Sequence, residues 1–251
     1  MQQPESAATT ADLASQLAQS QQALAQLRGA HEGLLRAVSH DLRAPLRHLT
    51  SFAPLLREAV EQLASLAPGE AAEEAQEFLG TMEQSARKMG RMLERLLQLA
   101  HAIQQPLALQ AVDVGAMLQA CAAPVSQPHT AQPALLRADP AALRVVLTEL
   151  LGNATKFSAG RPQPQVKVQL SMPAPQLWHI EIRDNGVGFD AARMDTAWPP
   201  FQRMHRDSDF EGVGCGLALA HRLAQRHGAR LQLQAQPGEG CTAVLAWPAA
   251  L

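Results

Sequence analysis

The sequence predicts two kinds of structure in series: a long helical hairpin whose copies pair into a four-helix bundle, followed by an α+β sandwich. Three observations carry this. The apolar fraction of 47% is filled with leucine and alanine, there is no tyrosine, and aromatic residues reach only 4%, a composition suited to helix packing rather than to a β-sandwich. Apolar residues recur in steps of three and four through the N-terminal part of the chain. Beyond residue 112 several short runs alternate with period two and are separated by helical ones.

Residues 1–10 are polar and expected to be disordered. The stripe Leu13, Leu17, Ser20, Leu24, Leu27, His31, Leu34 and Val38 follows a heptad seam, so residues 11–33 are expected to form a coiled-coil helix. After Val38 the steps lengthen to four at Leu42 and Leu46, which relaxes a left-handed supercoil. Leu49, Ala53, Leu56, Val60 and Leu63 continue the stripe. Pro68-Gly69 ends the helix, and Phe78, Met82, Ser85, Met89, Met92, Leu96, Leu99 and Ile103 mark a second one. The hairpin over 34–103 has a wide apolar face that one chain buries poorly, so a homodimer is expected.

Within AVSHDLRAPLRHL, His40 lies two residues from both Val38 and Leu42, about 200° around the helix from the seam. It should face solvent, with Asp41 beside it. Pro45 removes the N–H that would bond the Asp41 carbonyl and should loosen or bend the helix. An exposed imidazole steadied by a carboxylate is a candidate nucleophile, although most lone surface histidines are nothing more than that.

Residues 104–111, QQPLALQA, read as a linker, and 112–251 as the second domain. A strand near Val112–Val114 is expected to precede a helix through Met117–Cys121, with another strand near Leu135–Arg137. Asp139 caps a helix that has Pro140 at its first position. QVKVQLS and LWHIEIRD alternate as strands do. A helix near 214–228, then RLQLQAQ and CTAVLAWP, complete a mixed sheet with helices on one face.

Three stretches of this half carry chemistry. In ELLGNATKFS, Glu149, Asn153 and Lys156 repeat at steps of four and three and share one helix face. An oxygen ligand beside a cation suits a magnesium-bound phosphate, and a plain solvated face would look the same. In RDNGVGFD, Asp184 closes a strand while Gly186 and Gly188 let the backbone turn close to a flat ligand; an Asn-Gly turn is the bland alternative. In FEGVGCGLALAHRLAQRHG, Gly212, Gly214 and Gly216 precede a helix whose N-terminal amides can face an anion. Each stretch is weak alone. Their occurrence in this order gives them weight.

Together with SHDLRAPL, these stretches closely resemble the motif set of the sensor histidine kinase transmitter module, from about Leu34 to the C-terminus. The run FQRMHRDSDFEGVGCGLALAHRLAQRHG is especially similar to kinases of the phytochrome-like subgroup. The resemblance implies a dimerisation and phosphotransfer domain followed by an ATP-binding domain of the GHKL (Bergerat) fold, shared with DNA gyrase B subunits and Hsp90. It implies His40 as phosphoacceptor, with Asp41 as general base or orienter. NATKFS looks like the N box, with Asn153 as magnesium ligand, Lys156 on phosphate and Phe157 beside the nucleotide. DNGVG looks like the G1 box, Asp184 reading the adenine amino group with Gly186 and Gly188. PFQRMH looks like the F box, with Phe201 anchoring the ATP lid and Arg203 reaching toward phosphate. GVGCGLAL looks like the G2 box, supplying Gly212, Gly214, Gly216 and Leu217. ATP and Mg2+ are therefore the expected cofactors, and the phosphoryl group would pass from His40 to an aspartate of a response-regulator receiver domain.

Two departures matter. Glu149 stands where a second asparagine is frequent, and is expected as a second magnesium ligand or as a base for slow ATP hydrolysis. Ala44 stands where kinases that dephosphorylate their partner carry Thr or Asn, so such activity is expected to be weak. Rival readings are a non-catalytic dimeric scaffold and an ATP-hydrolysing switch of the same fold.

The net charge of −2 leaves no electrostatic footprint for nucleic acid. No apolar run approaches the roughly 18 residues of a membrane span, and MQQPESAATTADLASQ has no signal-peptide core. A cytoplasmic chain without a membrane segment is expected. Cys121, Cys215 and Cys241 lack paired or metal-ligand spacing and are expected as reduced thiols. The residues before the bundle are too few for a sensory domain, so an upstream sensory domain or partner is expected outside this chain.

Overall fold

The computed structural model describes residues 5–121, 125–126, 133–190, 192, 197–205 and 209–250. The chain divides into two units, Met1–Leu93 and Glu94–Leu251.

The first unit is built from α1 (Glu5–Leu66) and the larger part of α2 (Glu70–Gln104). The helix starts at Glu5, inside the stretch expected to be disordered: residues added to an existing helix gain a hydrogen bond each without the cost of nucleation. Pro68-Gly69 separates the two helices, and the Gly69 carbonyl accepts the amides of Ala72 and Glu73 at 2.9 and 3.2 Å. Glu70 and Glu73 occupy the first turn of α2, where the helix dipole favours negative charge. The expected loosening at Pro45 is not a break. α1 continues through both Pro45 and Pro54, because one proline removes a single ladder bond and the turns on either side hold the helix.

The apolar pattern resolves into two stripes. Leu79, Ala86 and Leu93 of α2 are buried, seven residues apart and one position over from the expected stripe. The expected seam stays open in a single chain: Val38, Leu42, Leu49, Leu56 and Leu63 of α1, with Phe78, Met82 and Met89 of α2, are 43–66% exposed. Arg57 ties the helices together, donating Nε to Glu83 Oε1 at 3.2 Å and Nη2 to Glu83 Oε2 at 2.8 Å. That hydrogen bond holds the Glu83 carboxyl below its usual range, against the opposing effect of burial. Ser39 is buried, and among the described residues its hydroxyl has no hydrogen-bond partner.

In the second unit β1 (Gln110–Asp113) pairs antiparallel with β3 (Leu135–Ala138). Asp113 accepts the amides of Gly115 and Ala116 and so starts α3 (Val114–Ala120) earlier than the Met117 expected from periodicity. The main sheet runs β2 (Val125–Ser126), β4 (Val166–Ala174), β5 (Leu177–Asp184), β7 (Gly240–Pro248), β6 (Arg230–Gln236). It is mixed, with β2 parallel to β4 and every other pair antiparallel. The two-residue β2 is too short to announce itself by alternation. Helices α4 (Pro140–Ser158) and α5 (Gly216–Arg226) pack on each other and on this sheet.

Register explains the core. Trp178, Ile180 and Ile182 of β5 are paired with Trp247, Leu245 and Ala243 of β7, and all six are buried. Burying each large apolar side chain is worth about 1.5–3 kcal/mol. Asp184 is next in this alternation, so the strand carries a carboxylate onto the buried face.

Asp139 caps α4 as its sequence implied, Oδ1 accepting the amides of Ala141 and Ala142 at 3.0 Å each. Its Oδ2 accepts the Ala108 amide at 2.9 Å, and Arg226 donates to the carbonyls of Ala102 and Gln105. Much of the stretch read as a linker is thus bonded into the second unit. His227 is buried: Nε2 accepts the Asp139 amide at 3.1 Å, Nδ1 lies 2.7 Å from the Leu223 carbonyl, and the ring packs on Trp247. Trp247 donates its indole N–H to the Arg137 carbonyl, and Trp198 stacks on His221.

Candidate functional site

His40 stands on α1 with its side chain 83% exposed, and Nδ1 lies 3.1 Å from Oδ1 of Asp41, itself 81% exposed. The carboxylate only accepts, so the ring proton belongs on Nδ1 and the lone pair on Nε2. The pair therefore presents a nucleophilic nitrogen to solvent. It lies in the first unit; the remaining expected residues lie in the second.

Asp184 is placed by the alternation of β5. Its Oδ1 accepts the amides of Gly186 at 2.8 Å and Cys241 at 3.2 Å. Burial raises its pKa, and the two amides oppose that rise. Among the described residues no bond reaches Oδ2, which leaves an acceptor for a ligand donor. The turn after Asp184 is fixed to the end of α4, the Val187 amide donating to the Phe157 carbonyl at 3.2 Å. Gly188 has φ +60°, and a Cβ there would lie 2.0 Å from the Gln236 carbonyl oxygen, so no larger residue fits. Cys241, behind Asp184, is pushed up to about 12 by burial and stays a thiol.

Two cations meet at the glycine-rich loop. Lys156, half-buried near the end of α4, donates Nζ to the Glu211 carbonyl at 3.3 Å and lies 4.2 Å from the centre of the Phe157 ring. Burial lowers its pKa, Arg203 adds to this, and Glu149 opposes it. Arg203 donates to the Gly212 carbonyl at 2.6 Å and to that of Phe210. Phe157 packs against His205 and Phe210, with ring centres 5.2 and 5.0 Å away. Phe201 has φ +65°, and its amide donates to the Gly214 carbonyl at 2.9 Å, so the PFQRMH segment is fastened to the glycine loop.

Asn153 is half-buried on α4. Glu149, on the same face, accepts a 2.6 Å bond from Arg95 in the last third of α2. Its carboxylate reaches the first turn of α5, where a Cβ on Gly216 would be 2.2 Å from Oε2. Leu217 packs against the core. Arg95, Arg161, His205 and Phe210 all bond or pack within this site, and none was singled out from sequence. Arg95 and Arg161 carry no local signature because their partners are distant in the chain, whereas His205 ends the PFQRMH stretch and Phe210 falls between it and GVGCGLAL. Among the described residues no three His, Cys, Asp or Glu side chains gather to hold a metal ion, and no helix is long and apolar enough to cross a membrane.

Residues 138–251 match the model of the histidine kinase-, DNA gyrase B- and HSP90-like ATPase family, and residues 30–108 match that of the His Kinase A (phospho-acceptor) domain. The chain belongs to the sensor histidine kinases. Its transmitter module is 26% identical to the phytochrome-like protein Cph1 of Synechocystis sp. over 81% of this chain and 27% of that protein. It is 29% identical to the sensor histidine kinase ZraS of Escherichia coli over 86% of this chain and 45% of that protein. The chain thus spans about a quarter to a half of these curated relatives. Among solved structures, full-length ShkA in complex with AMPPNP aligns with a TM-score of 0.58 at 22% identity, over 86% of this chain and 46% of that one. The Acinetobacter baumannii histidine kinase AdeS aligns with a TM-score of 0.51 at 20% identity, over 84% of this chain and 98% of that one. At those identities the likeness is one of fold: a helical hairpin followed by an α/β unit with a largely antiparallel sheet. The His Kinase A model spans His40, and the ATPase model spans Glu149, Asn153, Lys156, Asp184, Phe201, Arg203 and the glycine-rich loop.

Proposed function

We propose that this chain is the kinase core of a two-component system: it autophosphorylates His40 from Mg-ATP and passes the phosphoryl group to an aspartate of a response-regulator receiver domain. The observation that carries the reading is the exposed His40–Asp41 pair, in a chain whose second unit supplies a buried carboxylate, two cations and a glycine loop.

Asp184 Oδ2 would accept the adenine amino group, with the turn at Gly186 and Gly188 lying against the base. Lys156 and Arg203 would exchange the loop carbonyls for phosphate oxygens, which are stronger acceptors for a cation. The amides at the start of α5 would face the same charge. Asn153 offers an amide oxygen of the kind magnesium takes, and the remaining ligands would come from phosphate and water. Magnesium bound there neutralises phosphate charge. Glu149 would serve as a second ligand or as a water-activating base through Oε2, Oε1 being held by Arg95.

In the transfer itself Asp41 would hold the proton on Nδ1 while Nε2 attacks the γ-phosphorus. The N–P bond forms as the bond to the β-phosphate oxygen breaks, and ADP leaves. Attack needs the nitrogen within about 3–3.5 Å of phosphorus, and positioning with charge neutralisation supplies most of the acceleration.

The exposed stripes of α1 and α2 support a homodimer in which a second copy covers Leu42, Leu49, Phe78 and Met82. The domain limits would be 34–103 for dimerisation and phosphotransfer and 112–251 for nucleotide binding, preceded by a signalling helix over 11–33 that takes its input from a sensory domain or partner in the cytoplasm.

The test is labelling with γ-labelled ATP. Acid-labile, base-stable label on the wild type, absent from His40→Gln, is expected. Phosphate released equally by both proteins would instead mark an ATP-hydrolysing switch, and no turnover at all a scaffold.

A further inference from the structure

Arg161 lies just past the end of α4, its own amide donating to the Ser158 carbonyl at 2.9 Å. It is half-buried, and the acceptors of its guanidinium are backbone carbonyls. Nε donates to the Asn185 carbonyl at 2.8 Å and Nη2 to that of Gly186 at 2.7 Å, with a further bond from Nη2 to the Gly238 carbonyl. These acceptors belong to two separate segments. Asn185 and Gly186 form the turn that follows Asp184, and Gly238 sits in the hairpin between β6 and β7. The segments also bond directly, the Gly238 amide donating to the Val187 carbonyl at 2.7 Å. Asn185 is held from the other side, its Nδ2 donating to the Gln163 carbonyl at 2.8 Å and its Oδ1 accepting the Gln165 amide at 2.9 Å.

We infer that Arg161 is a positioning residue for nucleotide binding: its planar fork locks the turn after Asp184 to the end of α4 and to the β6–β7 hairpin, and so fixes where the Asp184 carboxylate points. The inference rests on the proposed nucleotide site. Three features argue for geometry over charge. Carbonyls of consecutive residues, 185 and 186, lie side by side as the two acceptors of one guanidinium edge, a match a single ammonium cannot make. The Gly186 amide, one atom set away from the Arg161-bonded carbonyl, is the group that donates to Asp184 Oδ1, so displacement of the turn moves the carboxylate with it. The same turn carries Val187, whose amide reaches the Phe157 carbonyl next to Lys156. Arg161 thus stands where the proposed adenine-facing turn and phosphate-facing helix are joined.

The experiment compares Arg161→Lys and Arg161→Ala with the wild-type chain in autophosphorylation and in ADP and ATP titration calorimetry. Arg161→Lys keeps the charge and loses the fork. The expected result is a KM for ATP raised about tenfold in both variants, the size of one lost charge-assisted hydrogen bond, with kcat at saturating ATP within about twofold of wild type. ADP and ATP should weaken by the same factor, and backbone amides at 185–188 should exchange hydrogen faster in both variants. Unchanged KM, full rescue by Arg161→Lys, or weakening of ATP alone would each overturn the inference, the last because it marks a contact with the terminal phosphate. Global unfolding of Arg161→Lys would overturn it too, since the bonds would then hold up the sheet rather than one turn. A wild-type chain that binds neither nucleotide would instead sink the proposed nucleotide site.

Discussion

Replacing Asp184 with asparagine should move stability and affinity in opposite directions. Asp184 is only 6% exposed, and burial raises its pKa despite two amide bonds to Oδ1. The ionised carboxylate is therefore less favourable in the folded chain than in the unfolded one, and at neutral pH it subtracts from stability. An asparagine oxygen can accept the same two amides, so the replacement removes the charge and keeps the bonds. At Oδ2, however, it puts an N–H donor where the proposed contact with adenine needs an acceptor for the amino group. Losing a hydrogen bond to a charged acceptor costs about 1.5–3 kcal/mol, or about 10- to 150-fold in affinity. Titration calorimetry with ADP should record that loss. Scanning calorimetry without nucleotide should give an unfolding temperature equal to or above wild type at pH 7.5. The advantage should shrink as the pH falls toward about 4, where the unfolded aspartate takes up its proton and the charge penalty disappears. Wild-type affinity in Asp184→Asn, or an unfolding temperature several degrees lower, would refute the reasoning; the second outcome would make the carboxylate a brace of the fold.

Two further outcomes follow from buried polar groups. Burial lowers the pKa of His227, whose neutral ring accepts one backbone amide and faces a carbonyl, so it contributes stability above its unfolded value of about 6.5 that is lost as the pH falls below it, by up to about 1.4 kcal/mol per unit. The urea midpoint should drop between pH 7.5 and 5.5, less steeply in His227→Gln; part of the slope should survive, since burial lowers His221 as well. In the first unit, an orphaned buried hydroxyl at Ser39 costs about 1–3 kcal/mol, so Ser39→Ala should raise the unfolding temperature of the helical hairpin, and a lower one would show that the hydroxyl is bonded after all.

Local chemistry was legible wherever one segment determines its own geometry. Asp139-Pro140 announced a helix start, Pro68-Gly69 a break, and the alternation of LWHIEIRD put Asp184 in line with Ile180 and Ile182 before any fold was known. Apolar periodicity identified Leu42, Leu49 and Leu56 as a stripe. It identified Leu99, which is buried in the second unit, but did not show that Leu79, Ala86 and Leu93 would be the buried set on the part of α2 in the first unit, because a helix with two apolar stripes does not encode which of them meets its own hairpin partner. Pro45 looked like a weak point because the loss of one bond is visible in sequence and the support of neighbouring turns is not. Long-range polar contacts were silent. Arg95 finds Glu149 across 54 residues, and Arg161 finds Gly238 across 77, and nothing around either arginine distinguishes it from a solvated one.

Trp178, Trp198 and Trp247 are the only tryptophans, there is no tyrosine, and all three fall within Glu94–Leu251. Indole emission is therefore blind to the first unit, while the far-ultraviolet dichroism of the chain is dominated by α1 and α2. Two optical signals from one unlabelled sample can thus follow the helical hairpin and the nucleotide-binding unit separately. Added nucleotide should delay the emission change directly, and any delay in the dichroism change would measure how strongly the two units are coupled.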